Sequence, residues 1–177
     1  MTDAPDISPV LVSDRLRLVP LAEGDLAELA AAMTDPLIWE QHPAKDRGEP
    51  EAAARYARFL LDAGGTLVAR DAAGRVIGCS RFYPVPDQPG DWGIGFTFLV
   101  RACWGGAWNR GMKALMLGHL FRTQPRAWFH IAPDNLRSQI ATTRLGAVWR
   151  YDATLDLGTG PAPLKCYEMT PETWVGG

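Results

Sequence analysis

A single α/β domain with a mixed sheet is what the 177 residues predict. Segments with strand and helix periodicity follow the order strand, two helices, meander, then strand–helix alternation. Hydrophobic residues make up 47% and charged residues 21%, the composition of a chain that buries a core. No repeat, low-complexity tract or long linker divides it. Residues 1–177 are therefore expected to form one domain, with 1–10 as a flexible tail.

The elements follow from local pattern. "RLRLV" (15–19) alternates charged and aliphatic residues as a strand does, and Pro20 ends it. In "AEGDLAELAAAMTD" (22–35), Leu26, Leu29, Ala30 and Met33 recur at helical spacing until Pro36 breaks the helix. "EPEAAARYARFLLDAGG" (49–65) is a second helix, with proline near its start and glycines past its end. "GTLVARDAAGRVIGCSRFYPV" (65–85) gives two strands around the turn "DAAG", and "DWGIGFTFLV" (91–100) completes the meander. A helix over 108–122 is apolar almost all round (Met112, Ala114, Leu115, Met116, Leu117, Leu120, Phe121), so it is expected to pack against the sheet. "RAWFHIAP" (126–133) reads as a strand and "NLRSQIATTRLG" (135–146) as a helix ended by Gly146. "AVWRYDATLDL" (147–157) and "LKCYEMT" (164–170) are the closing strands.

Composition excludes several classes. A net charge of −2 argues against a broad nucleic-acid surface. No run reaches the roughly 18 apolar residues needed to span a bilayer, and "MTDAPDISPV" has no signal-peptide pattern. Cys79, Cys103 and Cys166 are scattered and odd in number, which points to the reduced cytoplasm. His42, His119 and His130 share no metal-ligand spacing, so no metal is expected. His119, inside the apolar helix, reads as a hydrogen-bonded core histidine; His130, mid-strand, could face either core or cleft. Trp39 and Glu40, in an irregular stretch after Pro36, are the one aromatic–acid pair that suggests substrate binding.

Nucleotide-binding motifs fail. Nothing matches GxxxxGK[ST], and "GIGF" (93–96) lacks a third glycine and lies inside a strand. What remains is the strand–loop–helix unit "FTFLVRACWGGAWNRGMK" (96–113). Glycines admit close approach by a ligand, and free amides at a helix N-terminus favour an anion. Arg110 and Lys113 add positive charge in the first turn. Taken alone, the unit is balanced between such a cradle and a plain glycine turn.

Three segments in order and spacing resemble the GCN5-related N-acetyltransferase (GNAT) superfamily, in its ribosomal-protein-alanine acetyltransferase-like branch. They are "SDRLRLVPLAEGDLAEL" (13–29), "IGFTFLVRACWGGAWNRGMKALMLGHLF" (94–121) and "APDNLRSQIATTRLGA" (132–147). The resemblance covers nearly the whole chain and implies a GNAT fold, a mostly antiparallel sheet with a splayed strand pair and about four helices. It implies acetyl-CoA as co-substrate, its pyrophosphate on Trp104, Gly105, Gly106, Ala107, Trp108 and Asn109, with Arg110 beside them. Trp104 replaces the family's Arg or Gln, Ala107 its central glycine and Asn109 its last small residue. Backbone amides survive those changes, and Ala107 requires the loop to turn in a right-handed conformation throughout. The strand Phe98, Leu99 and Val100 is expected to splay from the strand ending near Ala132, admitting pantetheine as an added strand. Asn135 and Ser138 match the family's pantetheine contacts, and Asn135 also suits a helix cap.

The implied activity is acetyl-CoA-dependent N-acetyl transfer to a primary amine, a peptide N-terminus or a small molecule, by direct attack on the thioester. An amide near Phe98 or Leu99 would polarise the thioester oxygen. The tyrosine that many relatives use to protonate the thiolate falls on Thr142; the branch resembled here uses a serine at the place of Ser138, so the resemblance implies Ser138 as donor. Relatives often carry a glutamate where this chain has Gly93, so Asp91, Glu40 and His130 are the candidate bases. A closed pocket for a small amine would need a carboxylate, from Asp35, Glu40 or Asp91. The resemblance also allows a homodimer. The alternative is a non-catalytic acyl-CoA-binding module that keeps the fold.

Overall fold

The computed structural model describes residues 4–176. The elements, in chain order, are β1 (Leu11–Val12), β2 (Leu16–Pro20), α1 (Leu26–Ala32), α2 (Pro50–Ala63), β3 (Thr66–Asp71) and β4 (Val76–Pro84). They continue with β5 (Trp92–Leu99), α3 (Trp108–Leu120), β6 (Ala127–Ile131), α4 (Leu136–Arg144), β7 (Val148–Asp156) and β8 (Pro161–Met169). All strands join one sheet in the order β1-β2-β3-β4-β5-β6-β8-β7. Every pairing is antiparallel except β5 with β6.

Helices cover both faces. On one, α3 buries Met112, Met116, Leu117 and Leu120 against Phe82, Ile94 and Phe129 of the sheet. On the other, α2 begins at Pro50, which needs no amide partner, and ends at Gly64, whose φ is +73°. Its Ala53, Tyr56, Ala57 and Leu60 share one stripe and pack with Leu29 and Met33.

Several details differ from the sequence expectation. The helix expected over 22–35 is a short 3-10 turn (Glu23–Asp25) followed by α1, and the stretch after Pro36 holds 3-10 turns at Pro36–Trp39 and Lys45–Gly48. Strand β1 was not expected, and β8 starts at Pro161 instead of Leu164. Prolines 161 and 163 are tolerated there because β6 pairs with β8 only from Lys165 onward, leaving that edge without a donor requirement. Residues 1–3 of the expected tail lie outside the described residues. From residue 4 the chain packs down: Pro5 and Pro9 are buried, and Ile7 lies against the main core. His119 is half-buried and not in the core; its Nε2 contacts the Asp6 carbonyl at 2.7 Å.

Two irregularities position the site. Strands β5 and β6 pair only at Trp92–Ala127 and Gly93–Trp128 and then part. In β5, Phe96 and Thr97 together face Ser80 of β4, a bulge with Phe96 at φ +52°. Phe96 is the one non-glycine residue with positive φ among those described.

Candidate active site

A cavity of about 990 Å³ opens where β5 and β6 part. Phe98, Leu99, Trp104, Gly105, Gly106, Asn109, Asn135 and Ser138 line it; Val100, Ala107, Trp108 and Arg110 do not. At one end the loop Trp104–Ala107 is exposed and runs into α3, whose start carries no side-chain cap. Its first-turn amides therefore have no protein acceptor of their own and suit an anion. The loop is not right-handed throughout: Ala107 has φ −80°, but Gly105 sits at φ +70°. The reversal falls on a glycine ahead of Ala107, a residue that adopts it without strain.

Trp104, in place of the family's Arg or Gln, does not leave this end without a guanidinium. Its indole N–H donates to the Leu99 carbonyl at 2.8 Å, and Arg137 of α4 stacks on its ring with Cζ 4.1 Å from the centroid. Arg137 lines the cavity. Asn135 Oδ1 accepts from Ser138 N–H at 3.2 Å, so Asn135 does cap α4.

Lys113 lies far from its expected place among the phosphates. It is 5% exposed and points from α3 into the floor of the cavity. Its ammonium donates to Thr97 Oγ1 at 2.6 Å and Ser80 Oγ at 3.1 Å; these two hydroxyls lie 2.8 Å apart across the bulge. Among the described residues no carboxylate pairs with it, and burial pushes its pKa down to about 7. The spacing of Lys113 with Met116, Leu117 and Leu120 already placed it on the buried face.

Of the candidate bases, only His130 lines the cavity. Asp91 is turned to the far edge, accepting from Trp128 Nε1 at 2.8 Å and pairing with Arg126 at 3.3 Å. Glu40 is exposed and outside the cavity. His130 Nδ1 lies 2.7 Å from the Tyr83 hydroxyl, and its Nε2 is buried with no partner. Burial lowers the His130 pKa to about 4 and raises that of the Tyr83 phenol. Tyr83 also explains Gly93: a Cβ there would lie 2.4 Å from the Tyr83 ring, so the phenol occupies the space a side chain would need. Sequence reasoning missed Tyr83, because nothing in β4 marks which of its buried residues meets β6.

Elsewhere the cavity is walled by Ile38, Trp39, Gln41, His42, Pro43, Ala44 and Arg47, by Tyr56 and by the β7–β8 hairpin. Trp39 is there, 4% exposed, with its indole N–H on the Met33 carbonyl at 2.8 Å. The carboxylate expected for an amine pocket is not. Asp35 is ion-paired with Arg101 outside the cavity, and Glu40 and Asp91 lie elsewhere. Among the described residues no group of His, Cys, Asp and Glu is placed to hold a metal ion, and no helix is long and apolar enough to cross a membrane.

The family model of the acetyltransferase (GNAT) domain matches residues 15–148. The chain belongs to the GNAT acetyltransferase family. Solved GNAT structures share its fold. A T. thermophilus protein described as an acetyltransferase is 27% identical, with 98% of this chain and 94% of that one covered and a TM-score of 0.68. The ribosomal-protein-S5-alanine acetyltransferase of Vibrio fischeri is 15% identical, with 95% and 100% covered and a TM-score of 0.65. The microcin C7 self-immunity acetyltransferase MccE, solved with acetyl-CoA and AMP, is 12% identical, with 89% and 93% covered and a TM-score of 0.68. Comparison with curated proteins found no match. Within this GNAT domain the matched segment holds the splay, the glycine loop and α4, while the β7–β8 hairpin lies beyond it.

Proposed function

We propose that the protein transfers an acetyl group from acetyl-CoA to a primary amine. The observation that carries this reading is one continuous cavity. It runs from the uncapped α3 N-terminus, through the gap between β5 and β6, to an aromatic-walled pocket holding His130. The loop fits a pyrophosphate, since it offers backbone amides, the Arg137 guanidinium and, among the lining residues, no acid but Asp134. Acetyl-CoA supplies an activated thioester.

The chain's residues then divide the work. To the bulge amides of Phe96 and Thr97, which lie outside one-to-one pairing with β4, we assign donation to an oxygen that gains charge. Lys113 positions them by tying Thr97 to Ser80 from below. With Nδ1–H donating to Tyr83 Oη, His130 Nε2 keeps its lone pair and accepts the proton of the attacking amine. Ser138 donates from its hydroxyl to the departing sulfur. Thiol release from acetyl-CoA across a broad amine panel tests the reading. Release with at least one amine, lowered about tenfold in kcat by Ser138→Ala with unchanged acetyl-CoA affinity, is the expected result. Acetyl-CoA binding without release on any amine would instead identify a non-catalytic binding module.

A further inference from the structure

The pocket beyond His130 is cationic where an amine-binding pocket would ordinarily be acidic. Arg47 packs its guanidinium face on Tyr56, with Cζ 3.7 Å from the ring centroid, and lies 5.4 Å from that of Trp39. Stacking holds the face and leaves the N–H edge for a partner. No carboxylate meets it: none of the ion pairs among the described residues includes Arg47. The one acidic lining residue, Asp134, belongs to the turn before α4 and makes no ion pair with Arg47.

The neighbour of Arg47 is a second donor. Ala44 N–H donates to His42 Nδ1 at 3.0 Å, and Arg47 Nη1 lies 3.2 Å from His42 Nε2. A neutral ring accepts through one nitrogen only, so with Nδ1 taken as the acceptor of the Ala44 N–H we assign the ring proton to Nε2. In that tautomer Nε2–H and Arg47 Nη1–H are two donors 3.2 Å apart, and an anionic oxygen bridging them from the cavity would satisfy both. Burial pushes the His42 pKa down to about 4, so the pair carries the single charge of Arg47. One positive charge and a planar donor edge match a carboxylate better than a phosphate dianion.

We propose that the acceptor amine also bears a carboxylate, bound between Arg47 and His42 Nε2–H, which makes the substrates small amino acids and excludes polyamines. Ile38, Trp39 and Leu157 wall the same pocket and would take an apolar portion of the substrate. The proposal rests on the acetyl-transfer reading above and deepens it.

Two measurements test it. The first compares acetyl-CoA-dependent thiol release for each of the twenty amino acids, its carboxamide and a set of diamines, in the native protein and in Arg47→Gln. The expected result is a preference for acid over amide of about 30-fold in kcat/KM, falling to about threefold or less in Arg47→Gln. Equal use of acid and amide, a preference for diamines, or a preference that survives Arg47→Gln would overturn the carboxylate site while leaving acetyl transfer intact. The second is calorimetric titration of N-acetyl amino acids, one at a time, into the protein–CoA complex. Binding by native protein that Arg47→Gln loses supports the site even if no amine is acetylated. Absence of binding by any of them overturns it. Native-like melting and acetyl-CoA affinity in Arg47→Gln confirm that the variant is folded.

Discussion

The two ends of the cavity are built by different means. The coenzyme end is contiguous in sequence: loop 104–107 and the start of α3 offer backbone amides, and Arg137 adds a guanidinium from the first turn of α4. The acceptor end draws single side chains from five separate places, His42 and Arg47, Tyr56, Tyr83, His130 and the β7–β8 hairpin. Recognition by backbone tolerates substitution, so in the proposed function Trp104, Ala107 and Asn109 leave the loop amides available. Recognition by side chains does not, so the proposal assigns substrate choice to the acceptor end.

Substitutions separate the two ends. The largest effect is expected from His130→Gln, which should lower kcat by about 100-fold or more with acetyl-CoA affinity unchanged. Steady-state kinetics with calorimetry checks this, and an unchanged kcat removes His130 from the chemistry. Next is Lys113, whose ordinary pKa of 10.5 falls to about 7 on folding. Between those values the unfolded chain holds a proton that the native state has released, so stability should rise with pH from 7 to 10.5 and be lowest below 7. In Lys113→Met that rise should vanish, with Tm at pH 6 higher than native by several degrees, at about 2–4 °C per kcal/mol for a domain of this size. Thermal melts across pH decide it; a parallel slope in both proteins would mean the ammonium is not buried.

Smaller effects fall on the coenzyme end. Arg137→Ala should weaken acetyl-CoA binding about tenfold while sparing kcat at saturation, the opposite signature to His130→Gln. A loss confined to kcat would dissolve the distinction between the ends. Gly105→Ala meets open space around its Cβ, so its cost is conformational only. Forcing alanine to φ +70° at about 1 kcal/mol should raise the acetyl-CoA Kd roughly fivefold. Titration calorimetry would show it.

The same contrast explains what the sequence made legible. Elements α2, α3 and the β3–β4–β5 meander were readable because each carries its own periodicity and its own proline or glycine boundary. Trp104, Gly105 and Gly106, and Asn135 with Ser138, line the cavity and stand as two contiguous motifs in the sequence. Lys113 was misassigned because a lysine near a helix start suggests a surface charge, although its spacing with Met116, Leu117 and Leu120 placed it inside. The Tyr83–His130 contact and the Arg47–Tyr56 stack join residues that no local pattern links, so they became visible only in three dimensions. Asp91 and Glu40 had the right chemistry but not the right direction. Trp128 and Arg126 hold the first at the sheet edge, and the second faces solvent.

Whether this cavity binds acetyl-CoA is decided by titration calorimetry of acetyl-CoA into the protein. One-to-one binding, with a Kd in roughly the micromolar range and weakened by both Arg137→Ala and Gly105→Ala, is the predicted result. No heat of binding at millimolar acetyl-CoA, or binding indifferent to both substitutions, would contradict it.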